Sequence, residues 1–503
     1  SHKGAKASGK STLSNYTWQS MSMYERLSYE GDFGQNHVSA GATFSMNSAS
    51  SKTETQNQRQ MYVVADAKYS YAGRYVAELV AQYAGSSRYE KGHRFAFFPS
   101  AGLAWVASNE DFLRDVNWID RLKLHAQAGL TGQFDVFGTP YQYRSNYSYN
   151  GDMWYGPISD QPSWFGTNRW ISYKTTINRL ANHNLSWPKV FQTDLGIDFD
   201  FLSLFSFKVN AYYKKIYDSI VNVSSIIPGV YGLNNISLMD NYTSQSLRGM
   251  DVTFGYSQTF GDFRVGASLS ATMYKAIYEK MTDDNWLYEY QKKTGTPVDA
   301  YWGYRCIGKY EDEDQLSSVP AISTAVKVGD LMYEDVNNDG RIDDNDKVNL
   351  GNTAPRLSYA LNFTFGWKNL ELNVVGTGRA GLKTAMTNIY FWNGWGDGNY
   401  SAFVRDNIGG AYPRLDYVHS DQNFVGSDFW LRNGSWFKIQ SVELSYDLNL
   451  RPSSWIKGIK FSLKGQNLLT LSGIKDVDPE CIDAGVTSYP LLRSVTGGVK
   501  LNF

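Results

Sequence analysis

The sequence predicts an all-β fold, a transmembrane antiparallel β-barrel of the outer-membrane type. Three observations carry this. Apolar and polar residues alternate with period two, the alternating segments are long, and the links between them are short and long in strict turn. Alternation by itself also describes a soluble β-sandwich with one wet and one dry face. Segment length and the sorting of the loops separate the two.

In DFRVGASLSATM, Phe263, Val265, Ala267, Leu269 and Met273 share one parity; Arg264, Gly266, Ser268, Ser270 and Thr272 share the other. FSFKVNAYYKK puts Phe205, Phe207, Val209, Ala211 and Tyr213 opposite Ser206, Lys208, Asn210, Tyr212 and Lys214. GMDVTFGYS, SYALNFTF and IKFSLKG split in the same way. The pattern marks about fifteen strands, at 20–31, 36–46, 60–71, 73–84, 96–107, 120–132, 190–201, 205–219, 246–259, 262–280, 356–366, 369–380, 435–449, 459–472 and 493–503. Many reach the roughly 9–11 residues that cross a bilayer at a tilt, against about 5–6 for an ordinary strand.

Compact links fall at 32–35, Ala72-Gly73, 108–119, Leu202-Ser203-Leu204, Gly261, Trp367-Lys368 and 450–458. Longer loops fall between them at 47–59, 85–95, 133–189, 220–245, 281–355, 381–434 and 473–492. Short on one side and long on the other is the arrangement of periplasmic turns and extracellular loops. One strand breaks parity: Phe437 and Ile439 precede Val442, Leu444, Tyr446 and Leu448, which predicts a bulge near Gln440-Ser441. The last strand, SVTGGVKLNF, alternates up to the terminal Phe503. Single-chain bacterial barrels have an even number of strands, and an open edge cannot face lipid. An odd count therefore means either that other polypeptide completes the wall or that the count is off by a strand. Residues 1–19 then read as the tail of an extracellular loop and 20–503 as the C-terminal part of the barrel.

Bulk properties narrow the function. The 503 residues carry a net charge of −1, which gives no electrostatic case for nucleic acid. Charged residues are 19% and aromatics 15%, with 36 Tyr and 15 Trp, which suits an all-β protein with a broad aromatic surface. No apolar run of about 18 residues occurs, so no transmembrane helix is expected. No signal peptide is seen, which for an exported protein implies a mature sequence or one lacking its front. GAKASGKS at 4–11 satisfies the phosphate-loop pattern, but only three residues precede it and no helical stripe follows, so it reads as a polar loop. GTGRAG at 376–381 follows a strand without opening a helix. The six histidines are scattered, and no rule pairs two carboxylates as acid and base, so no enzyme is expected. Cys306 and Cys481 match no metal spacing; they read as two free thiols or as a disulfide between loops.

DVNNDGRIDDND, residues 335–346, is the strongest chemical motif. Asp335, Asn337 and Asp339 stand at positions 1, 3 and 5 of a calcium loop, and Gly340 takes the sharp turn at 6. The Arg341 carbonyl falls at 7, Asp343 at 9 and Asp346 at 12, where a glutamate is usual. The spacing suits a structural Ca2+ that stiffens loop 281–355; the competing reading is an Asx-rich turn that binds nothing.

Several segments in order resemble the C-terminal half of SusC/RagA-type TonB-dependent outer-membrane transporters. They include YSYAGRYVAELVAQYAGSSRY, FFPSAGLAWVASNEDFL, RLKLHAQAGLTGQ and NHNLSWPKVFQTDLGIDFDFL. Further on come GDLMYEDVNNDGRIDDNDKVNLGNTAPRLSYALNFTF, GQNLLT, DPE and YPLLRSVTGGVKLNF. The resemblance covers essentially the whole chain. It implies a barrel of about 22 strands in the bacterial outer membrane, with an N-terminal plug inside it. It also implies a SusD-like surface lipoprotein as a lid, and TonB engaging a motif ahead of the plug. The cargo it implies is oligosaccharide or peptide. The plug, that motif and the first strands are absent from these residues, so the chain reads as part of a nutrient importer. A secreted β-rich carbohydrate-binding protein or glycosidase is the alternative, and a plugless pore a third reading. In this frame the aromatic clusters MWYGPISDQPSWFGTNRW and YFWNGWGDGNY offer Trp154, Tyr155, Trp164, Trp170, Trp392 and Trp395 for ligand or lid contact; loop packing and an interfacial aromatic belt are the bland readings.

Overall fold

The computed structural model describes residues 18–51, 58–133, 141–152, 173–227, 229–231, 236–283, 286–392, 401–407, 409–415, 421–449 and 455–502. Fifteen strands form one antiparallel sheet in which neighbours in sequence are neighbours in space. They are Trp18–Phe33, Asn36–Ser51, Gln58–Tyr71, Tyr75–Ser86, Phe95–Val106, Ile119–Gly132, Lys189–Phe201 and Phe205–Asn222, then Met239–Phe260, Phe263–Lys280, Leu357–Trp367, Leu370–Ala380, Trp436–Asn449, Gly458–Ser472 and Ser494–Asn502. The periodicity had placed every one of them. Four small two-stranded sheets stand apart in the loops.

The pairing registers turn period-two alternation into two continuous faces. One row runs Phe207–Phe254–Leu269–Leu361 across four strands. Its neighbour runs Lys208–Thr253–Ser270–Ala360. The apolar face stays open: Leu195 is 61% exposed, and Leu79, Leu103, Leu269, Leu361, Phe363, Leu444 and Leu463 are exposed as well. An uncovered apolar sheet of this extent is far beyond the patches a monomer in water carries. The other face is knitted by polar contacts. Gln127 donates to Asp194 at 3.0 Å, Thr364 donates to Asn373 at 2.8 Å, and Lys460 pairs with Asp447 at 3.3 Å. This is the lipid-facing and lumen-facing division of a membrane barrel wall.

At one end the connections are tight turns whose backbones lie in the left-handed region, as short hairpins require. Leu202 and Ser203 both have positive φ, at 56° and 54°, without being glycine. Asp120 supports this conformation by accepting from the Ser203 N–H and, at 2.7 Å, from its hydroxyl. Just inside these turns the apolar face carries an aromatic belt. Phe199 and Phe201 stack at 4.8 Å, Phe201 and Phe205 at 5.1 Å, and Trp118 meets Phe199 edge-on at 6.1 Å. Aromatic rings, Trp and Tyr above all, gather at a membrane–water boundary.

The bulge appears at Gln440, where the registers jump from Ile439 to Ser441. A second, between Ile216 and Ser219, was not anticipated; Asp218 there takes a positive φ of 57° and its carboxylate meets Lys189 at 3.3 Å. The buried apolar clusters lie in the loops and strand ends of the long-loop side, around Trp187, Trp430, Tyr333 and Leu350.

The two faces make a direct prediction. Leu361→Arg, mid-strand on the apolar face, is expected to lose about 2–4 kcal/mol of folding stability in lipid vesicles. Asn362→Arg, one residue on, is expected to lose far less. Denaturant unfolding of the two variants in vesicles checks this, and equal costs would contradict the assignment of faces.

Candidate functional site

The long-loop side is where this chain builds specific structure. Its loops 281–355 and 381–434 form one interlocked body. The Tyr304 N–H donates to Gly426 O at 2.9 Å, and the Asp428 N–H returns to Tyr304 O at 3.2 Å. Two fully buried amides carry the joint. Gln422 accepts from the Ile322 N–H at 2.9 Å and the Ser323 N–H at 3.1 Å, and donates to Leu331 O at 2.6 Å. Asn423 accepts from the Leu331 N–H at 2.9 Å and donates to the Asp330 carboxylate at 2.8 Å. Arg414 closes the network on Asp330 at 3.2 Å. Buried polar groups hold only when their partners are supplied, so the network fixes one arrangement of the two loops. Around it, burial pushes the Tyr333 phenol well above its ordinary range. Burial, reinforced by the Asp344, Asp346 and Asp343 carboxylates, pushes Tyr304 up to about 12.

The motif 335–346 sits on this body. Asp335 accepts from the Gly340 N–H at 2.8 Å, Asn337 from the Asp339 N–H at 3.0 Å, and Asp339 from the Arg341 N–H at 2.9 Å. Asp343 caps the short turn after it by accepting from the Asn345 N–H at 2.7 Å. Asp346 is fully buried and accepts from the Val336 and Asp343 N–H groups at 2.9 and 2.8 Å. Each of the five side chains at the candidate ligand positions, Asp335, Asn337, Asp339, Asp343 and Asp346, thus accepts from a backbone N–H within the loop. Among the described residues no three His, Cys, Asp or Glu side chains are grouped as metal ligands.

Of the aromatic candidates, Trp154, Tyr155, Trp164, Trp170 and Trp395 lie outside the described residues, as do 4–11 and Phe503. Trp392 packs against a loop cluster, 6.0 Å from the Phe424 ring and 5.9 Å from Trp430. The two cysteines are free thiols. The Cys306 thiol lies 3.4 Å from Gly308 O and burial raises its pKa, while the Cys481 thiol lies 3.8 Å from the Ser488 hydroxyl. The disulfide left open by the sequence is not formed in this structure, where the two thiols sit in separate loops beside Gly308 and Ser488.

Sequence reasoning missed Lys438. It lies on the polar face of its strand, 1% exposed, with its ammonium 2.7 and 2.8 Å from the Asp478 carboxylate and 2.9 Å from Glu480. The partners are the two acids of the DPE motif, 40 and 42 residues further on. The polar parity of Lys438 was a signal for its face; nothing local announced its partners.

No protein-family model matches the chain. It is similar to the TonB-dependent receptor P3 of Formosa agariphila, 23% identical across 100% of this chain and 51% of that protein. It is similar to the TonB-dependent receptor SusC of Bacteroides thetaiotaomicron, 26% identical across 86% of this chain and 43% of that protein. The chain therefore spans about half the length of the relatives it matches. Among solved structures it superposes on the RagAB peptide transporter with a TM-score of 0.71 at 18% identity, over 97% of this chain and 56% of that one. The resemblance to SusC/RagA-type TonB-dependent transporters holds along the chain, and the fold is that of their barrel.

Two predictions follow from the loop geometry. Asp346→Ala strips the acceptor from two N–H groups, at a local cost of about 1–3 kcal/mol each if they stay buried. Hydrogen exchange of Val336 and Asp343 should rise. Calcium titration of the same exchange decides the cation reading: protection that rises with calcium, and no longer does in Asp339→Ala, carries it, while unchanged protection leaves the turn. The second concerns Asp299. Burial opposes its ionised form, but Arg356 at 2.9 Å and the Ala354 N–H at 2.8 Å outweigh it and hold the carboxyl below its ordinary range. A depressed folded pKa stabilises above the unfolded value of about 4 and is lost as pH falls through the folded one. Exchange protection of Ala354 should therefore hold at neutral pH and fall in acid below about pH 4. In Asp299→Asn that acid-induced step should vanish.

Proposed function

We propose that this chain is the C-terminal barrel portion of a TonB-dependent importer of the SusC type, working in a bacterial outer membrane. A single observation carries the reading: an uncovered apolar face and a polar face on one continuous sheet, with tight turns gathered at one end and built loops at the other. A secreted carbohydrate-binding protein or glycosidase has no use for an apolar wall of this extent, because exposing it to water would drive aggregation.

Several features support the finer parts. The first and last strands do not pair with each other among the described residues. In hydrocarbon the unpaired N–H and C=O groups of those edges would each cost several kcal/mol, so further strands must close the wall. The relatives, about twice as long, have the length to supply such strands and a plug. The interlocked long loops give a firm rim on which a SusD-like lipoprotein lid can seat. The polar inner face is a surface along which oligosaccharide or peptide can pass, and TonB would act on the part of the transporter that precedes this wall.

The native protein, purified from membranes, is expected to require detergent to stay monodisperse and to bring a surface lipoprotein with it. Cells lacking it are expected to lose uptake of one oligosaccharide or oligopeptide class, and wild-type uptake should stop when the proton-motive force is dissipated. Monodispersity without detergent would favour the secreted reading. Steady conductance in planar bilayers would favour an open pore.

A further inference from the structure

On the outer face of the sheet the apolar wall gives way to a row that carries two cations. Below it, the row Ala211–Met250–Met273–Leu357 crosses four strands with apolar side chains. One step nearer the loops, the register sets Tyr213 opposite Arg248 and Arg248 directly opposite Lys275. Arg248 shares the parity of Phe254 and Lys275 that of Leu269, so both belong to the lipid-facing side, and both are exposed. Tyr213 lies eight residues beyond Phe205 of the aromatic belt, roughly 20 Å up the barrel at the usual strand rise and tilt. The apolar band of such a barrel is about 25 Å tall, so the row stands at the far boundary of the hydrocarbon, on the loop side.

The fold does not balance these two cations. Arg248 lies 5.6 Å from the centre of the Tyr213 ring, and neither Arg248 nor Lys275 forms an ion pair among the described residues. The acid of this patch, Glu279, is already engaged: the Lys215 ammonium stands 2.6 Å from it, and the Tyr213 hydroxyl donates to it at 3.4 Å. Like charges directly across an antiparallel pair are destabilising. An anion between them relieves the repulsion, and the anion that lies in the plane of a membrane at this height is a headgroup phosphate. The Arg fork matches phosphate oxygens with two parallel hydrogen bonds, and Lys adds a point charge. Lys280, paired in register with Ser244, stands roughly 10 Å farther out, over the Tyr242 ring at 3.9 Å. It places another cation on the path that a large headgroup would follow.

The parts that complete the barrel leave this patch open. Its three strands have seven paired strands on one side and five on the other, and a plug would lie against the opposite face.

We propose that the outer face of strands Met239–Phe260 and Phe263–Lys280 binds a phosphorylated glycolipid of the outer leaflet. One phosphate sits between Arg248 and Lys275, and a second comes within reach of Lys280. The proposal rests on the outer-membrane setting and is independent of the cargo.

Native mass spectrometry tests it on the protein purified from membranes, stripped of lipid in detergent and titrated with three probes: diphosphoryl lipid A, its phosphate-free form, and phosphatidylglycerol. The wild type should bind lipid A at least about tenfold more tightly than either of the others, each of which lacks a charge-assisted contact. The Arg248→Gln, Lys275→Gln double variant should bind lipid A about tenfold more weakly than the wild type and bind phosphatidylglycerol no better than the phosphate-free form. Both side chains are exposed, so the variant should fold. Arg59→Gln removes an exposed cation on the same face of the strand Gln58–Tyr71 and should leave the preference intact. An equal loss in Arg59→Gln overturns the site in favour of general surface charge. Phosphatidylglycerol bound as tightly as lipid A overturns the glycolipid. Equal binding of lipid A and its phosphate-free form, by a wild type that needs detergent, sinks the site alone. A wild type that stays monodisperse without detergent sinks the membrane setting itself.

Discussion

Everything in this molecule answers to the pairing of backbone N–H and C=O groups in a medium without water. A strand that crosses hydrocarbon has no solvent to fall back on, so every donor and acceptor must meet a neighbouring strand. That demand explains the unbroken run of antiparallel pairs from Trp18–Phe33 to Ser494–Asn502. It also explains why disruptions of register are confined to a few places. The one at Gln440 adds a residue and flips parity, so that Lys438 and Glu443 both reach the polar side despite their odd separation.

With the wall held by its backbone, its side chains are free to serve two solvents. The apolar row through Phe207, Phe254, Leu269 and Leu361 needs no protein partner, because lipid covers it. A soluble protein would bury such a row as its core. Here the buried apolar clusters lie instead on the long-loop side, where loops leave the bilayer and must hold their shape in water. They do so with aromatic packing and with buried polar groups that are individually costly and jointly specific. Asp330, Gln422 and Asn423 are all at most 1% exposed, and each has a hydrogen-bond partner on the other loop.

The Lys438 clamp applies the same logic at the boundary between wall and loop. An ammonium at 1% exposure pays a large desolvation penalty that only paired, hydrogen-bonded carboxylates offset. With two carboxylates on it, the last long segment is fastened to the inner face.

The amino-acid order by itself determined the strands, their faces, the sorting of turns and loops, and the bulge at Gln440. These depend on local alternation and on turn chemistry, both written within a few neighbouring residues. It also marked 335–346 as a candidate calcium loop or an Asx-rich turn, and in the structure its acids accept from the loop's own N–H groups. Only the tertiary structure decided which distant groups meet. Nothing near Lys438 points 40 residues ahead to Asp478, and nothing near Gln422 points back about a hundred residues to Ile322 and Leu331. It likewise separated Cys306 from Cys481 and drew Trp392 into a loop cluster. The reason is physical: alternation is a property of the chain's own pleat, whereas loop contacts depend on how independent segments share the space above the wall.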